Sequence, residues 1–277
     1  MREELATPVQ IGQTLEELRG KKPIIHHITN YVTVNDCANI VLAIGASPIM
    51  ADDIEEIETI VALASALVLN IGTLNQRTIV SMVAAGKKAN QNGIPVILDP
   101  VGAGASELRN RTVTRLLDEV KIDILRGNMS EIRFIGGLEA STKGVDASEN
   151  DIARADRSGM ETAINLAQKL NCVVAITGAT DLISDGTRSL YIQNGHPMLS
   201  RVTGTGCMST SLVGAFAGAT NDYFLAASAG ILCMGIAGEI AFAEAGAKGT
   251  GSFHTAIIDS TSGLDNQTIM QMAKVHD

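Results

Sequence analysis

Basic clusters are scarce in this chain. Among 277 residues with a formal net charge of -9, no lysine/arginine run is longer than Lys21-Lys22 or Lys87-Lys88. That argues against a nucleic-acid or anionic-membrane surface, although a few local donors suffice to hold a small anion. Cysteine is sparse too. Cys37, Cys172, Cys207 and Cys233 form no C-x-x-C pair and no metal-like spacing, which points to free thiols in a reducing cytoplasm. The first residues, MREELATPVQ, are polar and carry no secretory apolar core. Internal repeats, low-complexity tracts and Pro/Ser linkers are absent, so one domain over residues 1–277 is expected. Phe224 to Ala247 alone has the apolar length of a membrane span. Its Glu239, Glu244 and many Gly and Ala read as a closely packed interior helix instead.

Two phosphate-binding signatures are also missing. No Gly-Lys is followed by Ser or Thr, so there is no P-loop. In TGTGCMSTS (203–211) a dinucleotide fingerprint would need glycine where Ser209 stands, and it belongs after the first strand.

What is present is an alternation of short apolar runs with longer helical segments. PIIHHIT (23–29), ASPIM (46–50), ALVLNIG (66–72), IPVILDPVG (94–102), IDILRGN (122–128) and CVVAITG (172–178) read as buried strands. Helical patterns at 54–64, 75–93 and 160–171 lie between them. Such strands belong to a parallel sheet covered on both faces, a doubly wound α/β fold. Residues 181–195 look like a hairpin turning near Asp185-Gly186, followed by a helical C-terminal third with a last helix near 265–275. Polar or glycine punctuation ends all six strands: Thr29-Asn30, Met50 to Asp52, Asn70 to Gly72, Asp99 to Gly102, Arg126 to Asn128 and Thr177-Gly178. Ligands of such sheets bind beyond those carboxyl ends, so one shared site is expected.

Three clusters carry chemistry. Gly204 and Gly206 open the backbone at the mouth of a helix beginning about Cys207, and together these make an anion hole. An ordinary glycine loop would look the same. Asn128 and Glu131 share a face of a first helical turn. They suit either a capping box or a carboxylate orienting water on Mg²⁺ at a phosphate, and the neighbouring Arg126 favours phosphate. Asp99 ends an apolar strand and faces the crevice, either to hold a metal or substrate or to cap the next loop. His26 and His27 lie on a strand whose alternation sends one inward and one outward, as packed or hydrogen-bonded residues. Cys37, Cys172 and Cys233 read as small core residues, and Glu239 as a carboxylate that is paired or at a subunit face.

Taken in order, HHITNYVTVN, GASPIM, LVLNIGTL, DPVGAG, RGNMSE, KGVD, VVAITG, TGTGC and KGTGSF resemble the hydroxyethylthiazole kinases of the ribokinase-like superfamily. The resemblance implies ATP- and Mg²⁺-dependent phosphorylation of the alcohol of 4-methyl-5-(2-hydroxyethyl)thiazole. By the same resemblance Met50 and Gly204 contact the thiazole, Arg126 and Thr177 contact ATP, and Asn128 and Glu131 organise metal and phosphate. It also implies a homotrimer in which Asn30 and Met50 line a pocket completed by a neighbouring chain. Cys207 stands where the superfamily usually has an aspartate base; Cys is common there in the nearer relatives. A thiol at a helix N-terminus can have a lowered pKa. Hydroxymethylpyrimidine kinase and NAD(P)H-hydrate dehydratase, the other superfamily readings, usually carry Asp at that position. A thiol nucleophile and a non-catalytic nucleotide-binding protein are the readings outside the superfamily.

Overall fold

The computed structural model describes residues 6–138 and 149–277. The KGVD segment with Asp146 lies outside the described residues. The chain begins with α1 (Ala6–Lys21), β1 (Ile24–Ile28), α2 (Val34–Ile44), β2 (Ser47–Met50), α3 (Ile57–Leu63) and β3 (Ala66–Asn70). It continues with α4 (Gln76–Asn92), β4 (Val96–Asp99), α5 (Glu107–Glu119), β5 (Ile124–Asn128), α6 (Met129–Gly136), α7 (Glu149–Leu170) and β6 (Val173–Thr177). The last third holds β7 (Asp181–Ser184), β8 (Ser189–Ile192), α8 (Thr205–Ala217), α9 (Tyr223–Ala245), α10 (Thr250–Gly263), α11 (Asn266–Met272) and β9 (Val275–His276).

One nine-stranded sheet runs β2-β1-β3-β4-β5-β6-β7-β8-β9. The first six strands in that order are parallel and the last three pair antiparallel. All six expected strands form, and the carboxyl ends of the parallel strands make a single rim. The hairpin turns through residues 185–188. The terminal helix stops at Met272, earlier than the pattern suggested, because the chain then adds β9 to the open edge of β8. Local chemistry sets several boundaries. Asn75, Ser106, Asn128, Asp222 and Asp265 cap helix N-termini with their side chains, while Gly45, Gly93 and Gly137 end helices at positive φ.

Alternation divides each central strand between two cores. In β3, Ala66 and Val68 face a core shared with α1, α2, α8, α9 and α10; Leu67 and Leu69 face one shared with α3 to α7. This corrects the reading of the histidines. Both His26 and His27 are buried, because the sheet is covered on both faces and has no outward side there. Each is hydrogen-bonded: His26 Nε2 to the Ala51 carbonyl at 2.8 Å, and His27 Nε2 to Ser211 Oγ at 3.1 Å. Cys37, Cys172 and Cys233 are buried as expected. Helix α9 is long and apolar enough to cross a membrane, yet 83% of its most apolar stretch is buried against the rest of the protein.

Candidate active site

Along the rim lies a cleft of about 750 Å³. It is lined by Asp99, Arg126, Asn128, Glu131, Thr177, Gly204, Gly206 and Cys207 among others, so eight of the ten site residues expected from sequence meet there.

The glycine turn explains itself geometrically. Gly204 has φ +88°, and a Cβ there would sit 2.7 Å from the Thr33 methyl. It is the N-cap of α8, which starts at Thr205, two residues earlier than a helix starting at Cys207. The first helical bond is Met208 N–H to the Gly204 carbonyl, at 2.8 Å. The amides of Thr205, Gly206 and Cys207 therefore precede the helical ladder and remain available to an anion. At Gly206 a Cβ would come within 2.9 Å of the Arg126 guanidinium, so bare backbone lets that cation lie against the helix mouth.

Cys207 sits in a polar cage. Its Sγ accepts from Asn30 Nδ2 at 3.3 Å and from Asn70 Nδ2 at 3.2 Å. Asn70 Nδ2 also reaches Asp99 Oδ2 at 3.0 Å, and Thr210 Oγ1 donates to the same oxygen at 2.7 Å. The thiol pKa is raised, not lowered as the helix terminus suggested. Burial is the main cause and the Asp99 charge adds to it, against hydrogen bonds from Thr33, Asn30 and Asn70. Asp99 is itself pushed up to about 6, first by its burial, while Arg126 and its hydrogen bonds oppose the rise. At neutral pH the cage thus holds a neutral thiol beside a largely ionised carboxylate.

Beyond Asp99 the cleft presents the Arg126 guanidinium beside the Glu131 and Asp181 carboxylates. Arg126 Nη2 donates to Thr177 Oγ1 at 2.6 Å, and Nη1 lies 3.7 Å from Asp99 Oδ2. Glu131 forms the capping box with Asn128, accepting from its backbone N–H at 2.8 Å. Its other oxygen accepts from Gly102 N–H, also at 2.8 Å, and so ties the turn after β4 to the start of α6. The capping reading is met, and the same side chain lines the cleft.

Four contributors went unread in the sequence. Asn70 was visible only as strand-end punctuation. Thr210 lies inside α8, with nothing local to mark it. Arg109, on α5, donates to the carbonyls of Ile71, Gly72 and Val101 and clamps two strand ends. Asp181 opens β7 at the cleft wall, and burial pushes its carboxyl up to about 7.

The sequence matches the Hydroxyethylthiazole kinase family over residues 15–267. It is 64% identical, over 97% of its length and 98% of the relative's, to a protein of Clostridium beijerinckii named hydroxyethylthiazole kinase. The chain belongs to the hydroxyethylthiazole kinase family. The solved structure of a hydroxyethylthiazole kinase from Pyrococcus horikoshii superposes with a TM-score of 0.87, 39% identity and coverage of 96% of this chain and 98% of that one. A ribokinase-like superfamily protein of Enterococcus faecalis shares the fold alone, with a TM-score of 0.58, 10% identity and coverage of 90% and 89%.

Within this kinase fold, two expected residues stand apart from the cleft wall. Asn30 lies behind Cys207, buried and bonded to it. Met50 ends β2, the edge strand, paired in register with His27 and only half-buried. No group of three or more His, Cys, Asp or Glu side chains able to hold a metal occurs among the described residues.

Proposed function

We propose that the chain, acting as one kinase domain, transfers the γ-phosphoryl group of ATP to the hydroxyl of 4-methyl-5-(2-hydroxyethyl)thiazole. The supporting observation is the convergence of three features. The free amides of α8, the Arg126 guanidinium and the caged Cys207 thiol face one cleft. In this reading the thiazole lies at the Cys207 end, near Gly204 and approached from Met50. ATP lies at the Arg126–Thr177 end, with its phosphates on the α8 amides.

The acceptor oxygen attacks the γ-phosphorus, the bond to the β–γ bridging oxygen breaks, and the alcohol proton departs to solvent. Such transfers pass through a loose transition state, so placement and charge stabilisation outweigh proton removal. A neutral Cys207 suits that demand: it packs and orients the acceptor hydroxyl without serving as base.

Mg²⁺ bound with ATP would neutralise phosphate charge. Asp99 fits it, because its Oδ1 is buried in the cleft with no partner. Glu131, whose oxygens each accept one amide, retains lone pairs for metal-bound water.

A homotrimer is part of the same proposal. Tyr31, Val32, Leu42, Ile54 and Leu63 are exposed apolar side chains, all within residues 31–63 on the β2 side of the sheet. A neighbouring chain seated there would cover Met50 and complete the acceptor end. Light scattering should give about three times the chain mass. Leu42→Lys with Leu63→Lys should dissociate the assembly and raise KM for the thiazole before KM for ATP; a wild-type monomer with full activity would overturn the trimer. The four free thiols fit a cytoplasmic location.

The direct test is ADP release from Mg²⁺-ATP with and without the thiazole, with hydroxymethylpyrimidine as control. Thiazole-dependent release, and a product heavier by one phosphoryl group, is expected. Release driven only by the pyrimidine would overturn the acceptor assignment.

A further inference from the structure

We infer that Glu239, acting through Asn194 and Lys274, is a positioning residue for the nucleotide end of the cleft. This rests on the proposal that ATP occupies the Arg126–Thr177 end.

Glu239 lies on α9 and touches neither Cys207 nor Arg126. One of its oxygens, Oε1, accepts from Gly195 N–H at 2.9 Å, from Asn194 Nδ2 at 3.2 Å and from Lys274 Nζ at 2.9 Å. Asn194 is 5% exposed and fully engaged. Its Nδ2 also donates to the Met272 carbonyl at 2.8 Å, and its Oδ1 accepts from Lys274 N–H at 2.7 Å. The C-terminal segment is thereby fastened to the loop after β8. Gln193 N–H donates to the Lys274 carbonyl at 2.9 Å, β9 pairs with β8, and His276 stacks on Tyr191 with ring centroids 4.8 Å apart.

That loop is a wall of the cleft. Asn194, Gly195, His196 and Pro197 line it together with Met234 and Gly235 of α9. At Gly235 a Cβ would come within 2.9 Å of the Asn194 carbonyl carbon and oxygen, so loop backbone rests directly on helix backbone. His196 stacks on Phe242 at 3.5 Å between centroids. Residues 193–196 belong to no strand or α-helix; the Glu239 carboxylate, the C-terminal segment and packing on α9 hold them. In sheet order this wall follows β8, beyond β6 and β7, whereas Asn30, Asn70 and Cys207 hang from β1, β3 and α8. Loosening the bracket should widen the nucleotide end and leave the acceptor cage in place. A merely structural carboxylate would lower both substrates' handling together.

The experiment measures KM for ATP, KM for the thiazole, kcat and thermal midpoint in five proteins: wild type, Glu239→Ala, Glu239→Gln, Lys274→Met and Lys274→Arg. Lys274 is 56% exposed at its side chain, so its variants fold even if those at Glu239 do not. Glu239→Ala should raise KM for ATP about tenfold or more, the scale of lost charge-assisted hydrogen bonds. Glu239→Gln keeps an acceptor for Gly195 and should show a smaller rise. Lys274→Met should raise KM for ATP roughly threefold at an unchanged midpoint, and Lys274→Arg should restore it. Throughout, kcat and KM for the thiazole should stay within about twofold. The inference is overturned by an unchanged KM for ATP in the Lys274→Met protein, or by kcat and both KM values shifting together. Calorimetric ATP affinity in the same proteins separates this from the kinase assignment. If wild type binds ATP without thiazole-dependent turnover, the acceptor assignment fails and the affinity ratio still decides the role of Glu239. If wild type does not bind ATP, both fall.

Discussion

At the Cys207 end of the cleft, side chains hold side chains: Asn30 and Asn70 cradle the thiol, and Asn70 and Thr210 hold the Asp99 carboxylate. At the far end, backbone does most of the holding. Gly178 N–H donates to Asp181 Oδ1 at 2.9 Å, Gly195 N–H donates to Glu239, and the α8 amides face open space. The difference suits the two substrates. A small neutral acceptor needs a shaped and pre-oriented pocket. A polyanion needs convergent donors whose cost of ordering is already met by the fold.

The most damaging way to test that contrast is to remove one backbone donor. Gly206→Pro deletes an amide from the α8 mouth and adds bulk where a Cβ already meets the Arg126 guanidinium at 2.9 Å. Proline is tolerated in a first helical turn, so the fold should survive. Turnover should fall about 10²–10³-fold, as when a preorganised donor is lost. Single-turnover kinetics with a parallel melting curve measure it. Near-normal turnover in a folded protein would mean that the α8 amides do not carry the phosphates.

The cage makes the next effect smaller. Cys207→Asp should keep activity within about tenfold of wild type or exceed it, because general-base assistance adds where a neutral thiol supplies none. The two amide donors now aimed at Sγ would receive the carboxylate. The neighbouring Asp99 opposes the new charge and limits the gain. Steady-state kinetics on purified, folded protein decide it; an inactive variant would show that the thiol itself is required.

These two positions also show how far sequence reasoning reached. The six strands and their common rim were legible because parallel strands buried on both faces become uninterrupted apolar runs ending in polar residues. The glycine turn was legible because bare backbone leaves a mark in sequence. The capping box of Asn128 and Glu131 was legible for its spacing, although its second link to Gly102 was not. Asn70, Thr210 and Arg109 were hidden, since their contacts span sequence separations of 29, 111 and 37–38 residues and no local pattern encodes them. The direction of the Cys207 shift failed for the same reason: the helix terminus is local, while the opposing Asp99 and the burial are tertiary.

The last effect bears on stability and leaves turnover aside; it concerns Asp181, the counterpart at the nucleotide end of Asp99 in the cage. Burial pushes its carboxyl from 3.8 to about 7, against the Gly178 hydrogen bond and Arg126, which lower it. The folded state therefore binds a proton that the unfolded chain has already released between roughly pH 4 and pH 7. The stability carried by the protonated form is complete below about pH 4 and is lost as pH rises through about 7. An asparagine side chain in its place cannot ionise, yet its oxygen can still accept from Gly178 N–H. Asp181→Asn should be more stable than wild type at pH 8, on the order of 2 kcal/mol, about half the full linkage because the residue is partly open to the cleft. The advantage should shrink as pH falls toward 5. Urea midpoints at pH 5, 6.5 and 8 measure this. A gap that stays constant with pH would mean that the carboxyl is ionised throughout, and that the nucleotide end carries its negative charge permanently.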